Sequence, residues 1–106
     1  MLFARFRHGG EVAYGIAEGE GVTPVEGDIF GEYHPTGENF PLSQVTLLAP
    51  VMPGKILAAA VNYPSHVISA KALLDKDEAP SIPQLFLKPS SSVVGPGDTI
   101  VLPEGA

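Results

Sequence analysis

The sequence predicts a mainly β chain with one helix, an α+β architecture, on three observations. Glycine and proline are abundant, 12 and 11 among 106 residues, and are spread without a repeat, as in turn-rich β proteins. Short apolar runs, several of them alternating, lie between these turn residues with the period of half-buried strands. One longer apolar run ends at Asn62-Tyr63-Pro64, where proline marks a helix start. A chain of this length makes one ordinary domain or two small ones.

Leu2, Ala4 and Phe6 open the first alternating stretch, His8-Gly9-Gly10 breaks it, and a second stretch runs over residues 12–17. Two β-prone runs joined by Gly-Gly predict a hairpin. Glu18-Gly19-Glu20-Gly21 is the next turn, residues 22–25 the next short strand, and Glu26-Gly27-Asp28 closes it. Residues 31–39 are polar, carry Pro35 and Gly37, and predict a loop. Residues 42–48 predict a further strand with Pro50 just beyond. Residues 1–50 are therefore expected to form a small N-terminal β domain of meander type.

Val51-Met52-Pro53-Gly54 marks the boundary to a second portion, residues 51–106. The nearly continuous apolar run over 55–61 predicts a strand buried on both faces. Proline keeps its predecessor out of helical geometry and is well tolerated at the first helical position. The spacing thus predicts a helix from Pro64 to about residue 74, with Val67, Ala70 and Leu74 as its apolar stripe. Residues 75–83 predict an acidic, proline-containing loop, 84–88 a strand, Gly95-Pro96-Gly97-Asp98 a turn, and 99–102 a last strand. These elements offer little surface to cover the 55–61 run. Either a partner chain or sequence beyond Ala106 is expected to cover it, and self-association, for instance as a homodimer, is expected.

Composition excludes several function classes. The net charge is −6, and Arg5, Arg7, Lys55, Lys71, Lys76 and Lys88 are scattered, so neither nucleic acid nor an anionic membrane surface is an expected partner. Without cysteine there is no disulfide, thiolate metal site or cysteine nucleophile. Residues 1–10 lack an apolar core of signal-peptide length, and no run reaches the roughly 20 apolar residues of a membrane helix. A cytoplasmic protein is expected.

Of the three histidines, His8 beside Gly-Gly and His34 in a polar stretch read as solvated loop residues, with no ligand-type neighbour at metal spacing. His66 differs, because it falls in the first turn of a helix that directly follows an apolar strand. There a side chain can project from the strand end into a cleft, and the positive end of a helix disfavours a protonated imidazole, which suits a general base. A helical histidine with a purely structural role fits the same pattern.

The run Lys55-Ile56-Leu57-Ala58-Ala59-Ala60-Val61-Asn62-Tyr63-Pro64-Ser65-His66 resembles the strand-to-helix segment of the fumarylacetoacetate hydrolase family, with its Lys-Ile followed by Asn-Tyr-x-x-His. Leu85-Phe86-Leu87-Lys88-Pro89-Ser90 is similar to that family's Phe-Leu-Lys-Pro element, and Gly95-Pro96-Gly97-Asp98 and Ile100-Val101-Leu102-Pro103 follow in the family's order. Ala4-Arg5-Phe6 to Gly15, then Pro41-Leu42 to Pro50, resemble the small N-terminal domain of prokaryotic members.

The resemblance implies that residues 51–106 begin a mixed β-roll catalytic domain that holds Mg²⁺ or Mn²⁺ on three carboxylates. It further implies hydrolysis, decarboxylation or isomerisation of 2-oxo or β-dicarbonyl acids, small-molecule substrates whose developing enolate charge a cation would stabilise. Carried over residue by residue, His66 becomes the base, Asn62 and Tyr63 line the substrate pocket, and Lys88 contributes charge. Two departures stand out. Ser69 occupies the position, one helical turn after His66, where many relatives carry glutamate, and Glu78 could replace that glutamate only if its loop folds back. The family's metal carboxylates lie beyond the Leu-Pro element, so no metal ligand is expected in this chain. Glu104 stands too close to that element, and Asp75, Asp77 and Glu78 read as solvated loop charges. The expected function is a portion of such an enzyme, inactive as the 106-residue chain alone. The alternative is a non-catalytic β module for binding or assembly that keeps the family's shell.

Overall fold

The computed structural model describes residues 1–68 and 81–105. Its contacts divide into two compact units: Met1–Met52 with the segment that begins at Val93, and a second unit within Pro53–Ser92.

The first unit is built on one sheet. Its strands are β1 (Leu2–His8), β2 (Glu11–Glu18), β3 (Gly21–Gly27), β4 (Tyr33–Pro35), β5 (Phe40–Pro41) and β6 (Thr46–Leu47). The order is β4-β3-β2-β1-β6, with β5 also paired to β3. The hairpin expected at Gly9-Gly10 is present, its register running from Leu2 opposite Ala17 to His8 opposite Glu11. Both glycines take left-handed backbone angles, φ +58° and +91°, which is what a two-residue hairpin turn asks of them.

Antiparallel partners share a face, so Ala4, Phe6, Gly15, Val22 and Phe40 lie on one side of the sheet. Phe6 and Val22 are the largest fully buried side chains, 1% and 0% exposed. Each such burial contributes on the order of 2 kcal/mol. Gly15 makes the packing possible, since a Cβ there would stand 2.9 Å from Phe6 Cε1 and 2.7 Å from Val22 Cγ2. On the opposite face Phe3 meets Tyr33 edge-on at 5.1 Å.

Several expectations need correction. The strand expected over 22–25 extends from Gly21 to Gly27. Residues 31–39 are not wholly loop: Tyr33–Pro35 pairs with Gly27, Glu26 and Val25 as an edge strand, a place where proline is tolerated. Residues 42–48 are not one strand. Leu42–Gln44 forms a 3₁₀ turn and only Thr46–Leu47 pairs, with Arg7 and Phe6. The chain leaves β5 beside β3 and must cross to the far side of β1, and a helical turn makes that change of direction where an extended strand could not. His8 is no solvated loop residue. It ends β1, is half-buried, and stacks on Phe40 with ring centroids 4.0 Å apart. His34 is exposed in β4.

The turn at 95–98 closes as expected. The Gly95 N–H donates to Asp98 Oδ2 at 2.6 Å, and the Asp98 N–H donates to the Gly95 carbonyl at 3.2 Å. Residues 99–102 are not a strand. Ile100, Val101 and Leu102 are exposed and pair with nothing among the described residues, because β propensity shapes a segment but a ladder needs a partner.

In the second unit, β7 (Ile56–Ala60) pairs antiparallel with β8 (Gln84–Lys88), from Ile56 opposite Lys88 to Ala60 opposite Gln84. The expected strand exists, but it is not buried on both faces. Ile56, Ala58 and Ala60 are half-buried, while Leu57 and Ala59 are exposed, beside a β8 exposed throughout. Two strands give each other hydrogen bonds and little cover. Residues 64–68 are helical. Val67 is buried as expected of the stripe, while Ala70, Leu74 and most of the acidic loop lie outside the described residues. None of the described helices is long and apolar enough to cross a membrane.

Candidate functional site

The candidate residues cluster where β7 gives way to the helix. Val61 follows the last residue of β7 with φ +51°, a left-handed angle that β-branched side chains rarely adopt. This kink turns the chain out of the strand direction. Asn62 and Tyr63 follow, and the Tyr63 carbonyl accepts the N–H of His66 at 2.9 Å and the N–H of Val67 at 3.0 Å. These bonds form the first turn of the helix and place His66 in it.

Val61 and Val67 are each 8% exposed and pack together, with half-buried Ala60 against them. Asn62, Tyr63 and His66 are exposed around this pair. The structure thus brings three of the four candidates into one short segment. Lys88 stands apart. It pairs with Ile56, at the other end of β7 from Ala60, about 13 Å away at the usual strand rise. Its Nζ lies over the Phe86 ring, 5.8 Å from the centroid.

Three cavities lie in the first unit, lined by residues such as Asn39 and Ser43, Ile16 and Glu18, and Phe3 and Pro96. Among the described residues no group of three His, Cys, Asp or Glu side chains could hold a metal ion. These residues therefore do not fit the Mg²⁺ or Mn²⁺ that the resemblance implies. Ser69, Asp75, Asp77 and Glu78 lie outside the described residues. What the segment offers chemically is a solvent-reachable imidazole flanked by an amide and a phenol. Val61 escaped sequence reasoning, because nothing in residue type announces that a valine will take a left-handed angle.

Two family models match in tandem. One, described as "Rv2993c-like, N-terminal", covers residues 1–50, and "Fumarylacetoacetate (FAA) hydrolase C-terminal" covers residues 55–106. The chain belongs to the fumarylacetoacetate hydrolase family.

Among curated members of this family, Protein Rv2993c of Mycobacterium tuberculosis is 35% identical over 77 residues, 73% of this chain and 27% of that protein. The mitochondrial oxaloacetate tautomerase Fahd2a of Rattus norvegicus is 44% identical over 64 residues, 59% of this chain and 19% of that enzyme. Among solved structures, a Mycobacterium abscessus protein superposes with a TM-score of 0.81 at 33% identity, over 100% of this chain and 40% of its own. The 5-carboxymethyl-2-hydroxymuconate delta-isomerase of Mycobacterium smegmatis gives 0.68 at 30% identity, covering 89% of this chain and 35% of its own. The chain therefore spans well under half the length of these fumarylacetoacetate hydrolase relatives.

Proposed function

We propose that this chain supplies the N-terminal domain, residues 1–50, and the leading part of the catalytic domain, residues 51–106, of an enzyme acting on 2-oxo or β-dicarbonyl acids. The observation that carries this proposal is the position of Asn62-Tyr63-x-x-His66 at a strand-to-helix turn in a chain of this family. The named relatives include an oxaloacetate tautomerase and a delta-isomerase, which favours isomerisation over decarboxylation or hydrolysis as the reaction class.

His66 is the general base. Its free ring nitrogen accepts the proton from the carbon beside the substrate carbonyl, and the same proton returns at the enolate oxygen or at another carbon of the conjugated system. The Asn62 amide and Tyr63 hydroxyl donate hydrogen bonds to the substrate's carboxylate or oxo oxygens. Lys88, at the far end of the sheet, adds positive charge at long range. The Mg²⁺ or Mn²⁺ that the family resemblance implies would need ligands other than the described residues. A self-associated, cytoplasmic enzyme completes the proposal.

The test is His66→Ala in the complete protein, assayed on enol–keto interconversion of oxaloacetate and on cleavage of a 2,4-dioxo acid. Turnover is expected to fall about 10²- to 10⁴-fold with the far-UV circular dichroism unchanged. Full turnover on both substrates in a folded variant removes His66 from the mechanism.

A further inference from the structure

We infer that Val61 is a positioning residue for this site. The inference rests on the proposed role of His66. Val61 is the sole non-glycine residue with a positive φ among the described residues, at +51°, and it stands between Ala60, the end of β7, and Asn62. A β-branched side chain disfavours this backbone angle, so the conformation persists only where its surroundings enforce it.

The enforcing contact is visible. Val61 packs on Val67, and these two, each 8% exposed, are the buried apolar pair of their unit among the described residues. Val67 is the neighbour of His66, and the N–H groups of both donate to the same Tyr63 carbonyl. One buried contact therefore spans the whole candidate segment, from the kink before Asn62 to the residue after His66. Everything between its ends is exposed. For Asn62, Tyr63 and His66 the Val61–Val67 clamp sets the backbone from which each side chain projects.

Glycine would take the left-handed angle freely but bring no side chain to the clamp, and asparagine would tolerate the angle with a polar group in place of the branch. Both substitutions make the backbone conformation easier and the positioning worse. A role confined to stability would let activity follow the fraction folded.

The experiment is steady-state kinetics of Val61→Gly and Val61→Asn in the complete protein, on oxaloacetate, at a temperature where thermal unfolding shows each variant fully folded. The expected result is a fall in kcat of about 10- to 100-fold with KM within about threefold. Unchanged kcat in the folded variants overturns the inference, as does a loss confined to temperatures where the protein is partly unfolded. Where neither variant folds, Val67→Ala loosens the same contact from the helix side and decides by the same criterion. His66→Ala in parallel separates the two ideas. If that variant turns over at full rate, the site assignment falls and this inference with it. If it is inactive while the Val61 variants run at full rate, only the positioning role falls.

Discussion

The imidazole of His8 stacks on the ring of Phe40, with centroids 4.0 Å apart and planes 22° from parallel. Phe40 also meets buried Phe6 edge-on at 6.4 Å. His8 thus caps an aromatic row that ties β5, paired to β3, back onto the end of β1. Aromatic pairs add about 0.5–1.5 kcal/mol beyond the area they bury. A double-mutant cycle of His8→Ala and Phe40→Ala, followed by urea unfolding, should return a coupling near 1 kcal/mol. Strict additivity would show that the stack contributes nothing.

Gly15 should not tolerate a side chain. A Cβ would meet the Thr23 carbonyl at 2.6 Å as well as Val22 and Phe6, and backbone cannot move aside without breaking the β2–β3 ladder. Gly15→Ala should cost about 2 kcal/mol or more. Gly54→Ala is the matched control, because its Cβ meets nothing within 4 Å and its backbone is not left-handed. That variant should be neutral or gain up to about 1 kcal/mol from the stiffer unfolded chain. Equal midpoints for the two variants in chemical denaturation would contradict the packing described.

Asp98→Ala should loosen the 95–98 turn by removing the carboxylate that accepts the Gly95 N–H at 2.6 Å. The expected loss is about 1 kcal/mol, since the group is exposed and water replaces part of the bond. Amide exchange at Gly95 should quicken in the variant. An unchanged exchange rate there would mean the bond is not held in solution.

The β7–β8 pair should drive self-association of the 106-residue chain. Leu57 and Leu87 stand directly opposite each other on one face, with Leu85 beside them opposite Ala59, and all three leucines are exposed. Such an uncovered apolar face favours contact with another copy. Sedimentation should show species larger than a monomer, and Leu57→Glu combined with Leu87→Lys should reduce them while keeping a favourable cross-strand pair. A monomer with slow amide exchange over 56–60 would count against this.

The hairpin at Gly9-Gly10 was legible because alternation and turn chemistry agree there, and both are local properties. Residues 42–48 and 99–102 misled for one shared reason: apolar, β-prone residues signal a strand, yet a strand also needs a partner at the right place. Thr46 and Leu47 find one in Arg7 and Phe6, and Ile100 to Leu102 find none among the described residues. The limits of β7 could be read closely from its apolar run, whereas its burial could not, since cover comes from elements elsewhere in the chain or assembly. At the site, a helix start near Pro64 was foreseeable from proline chemistry, and with it the place of His66. Lys88 illustrates the opposite case. Its motif is close to the site segment in order along the chain, but antiparallel pairing carries it to the other end of the sheet.

The strands of the first sheet all lie between Leu2 and Leu47, and most pair with their neighbour in sequence. Within this sheet the β1–β6 contact joins the most distant segments. Pairing of this kind closes quickly, since little chain entropy is lost before contacts form. On the ribosome the sheet can assemble as soon as its last short strand clears the exit tunnel, while the apolar β7 is still being delivered. The nascent chain would thus carry a paired sheet when its aggregation-prone segment first meets solvent, and the segment from Val93 would join that unit later.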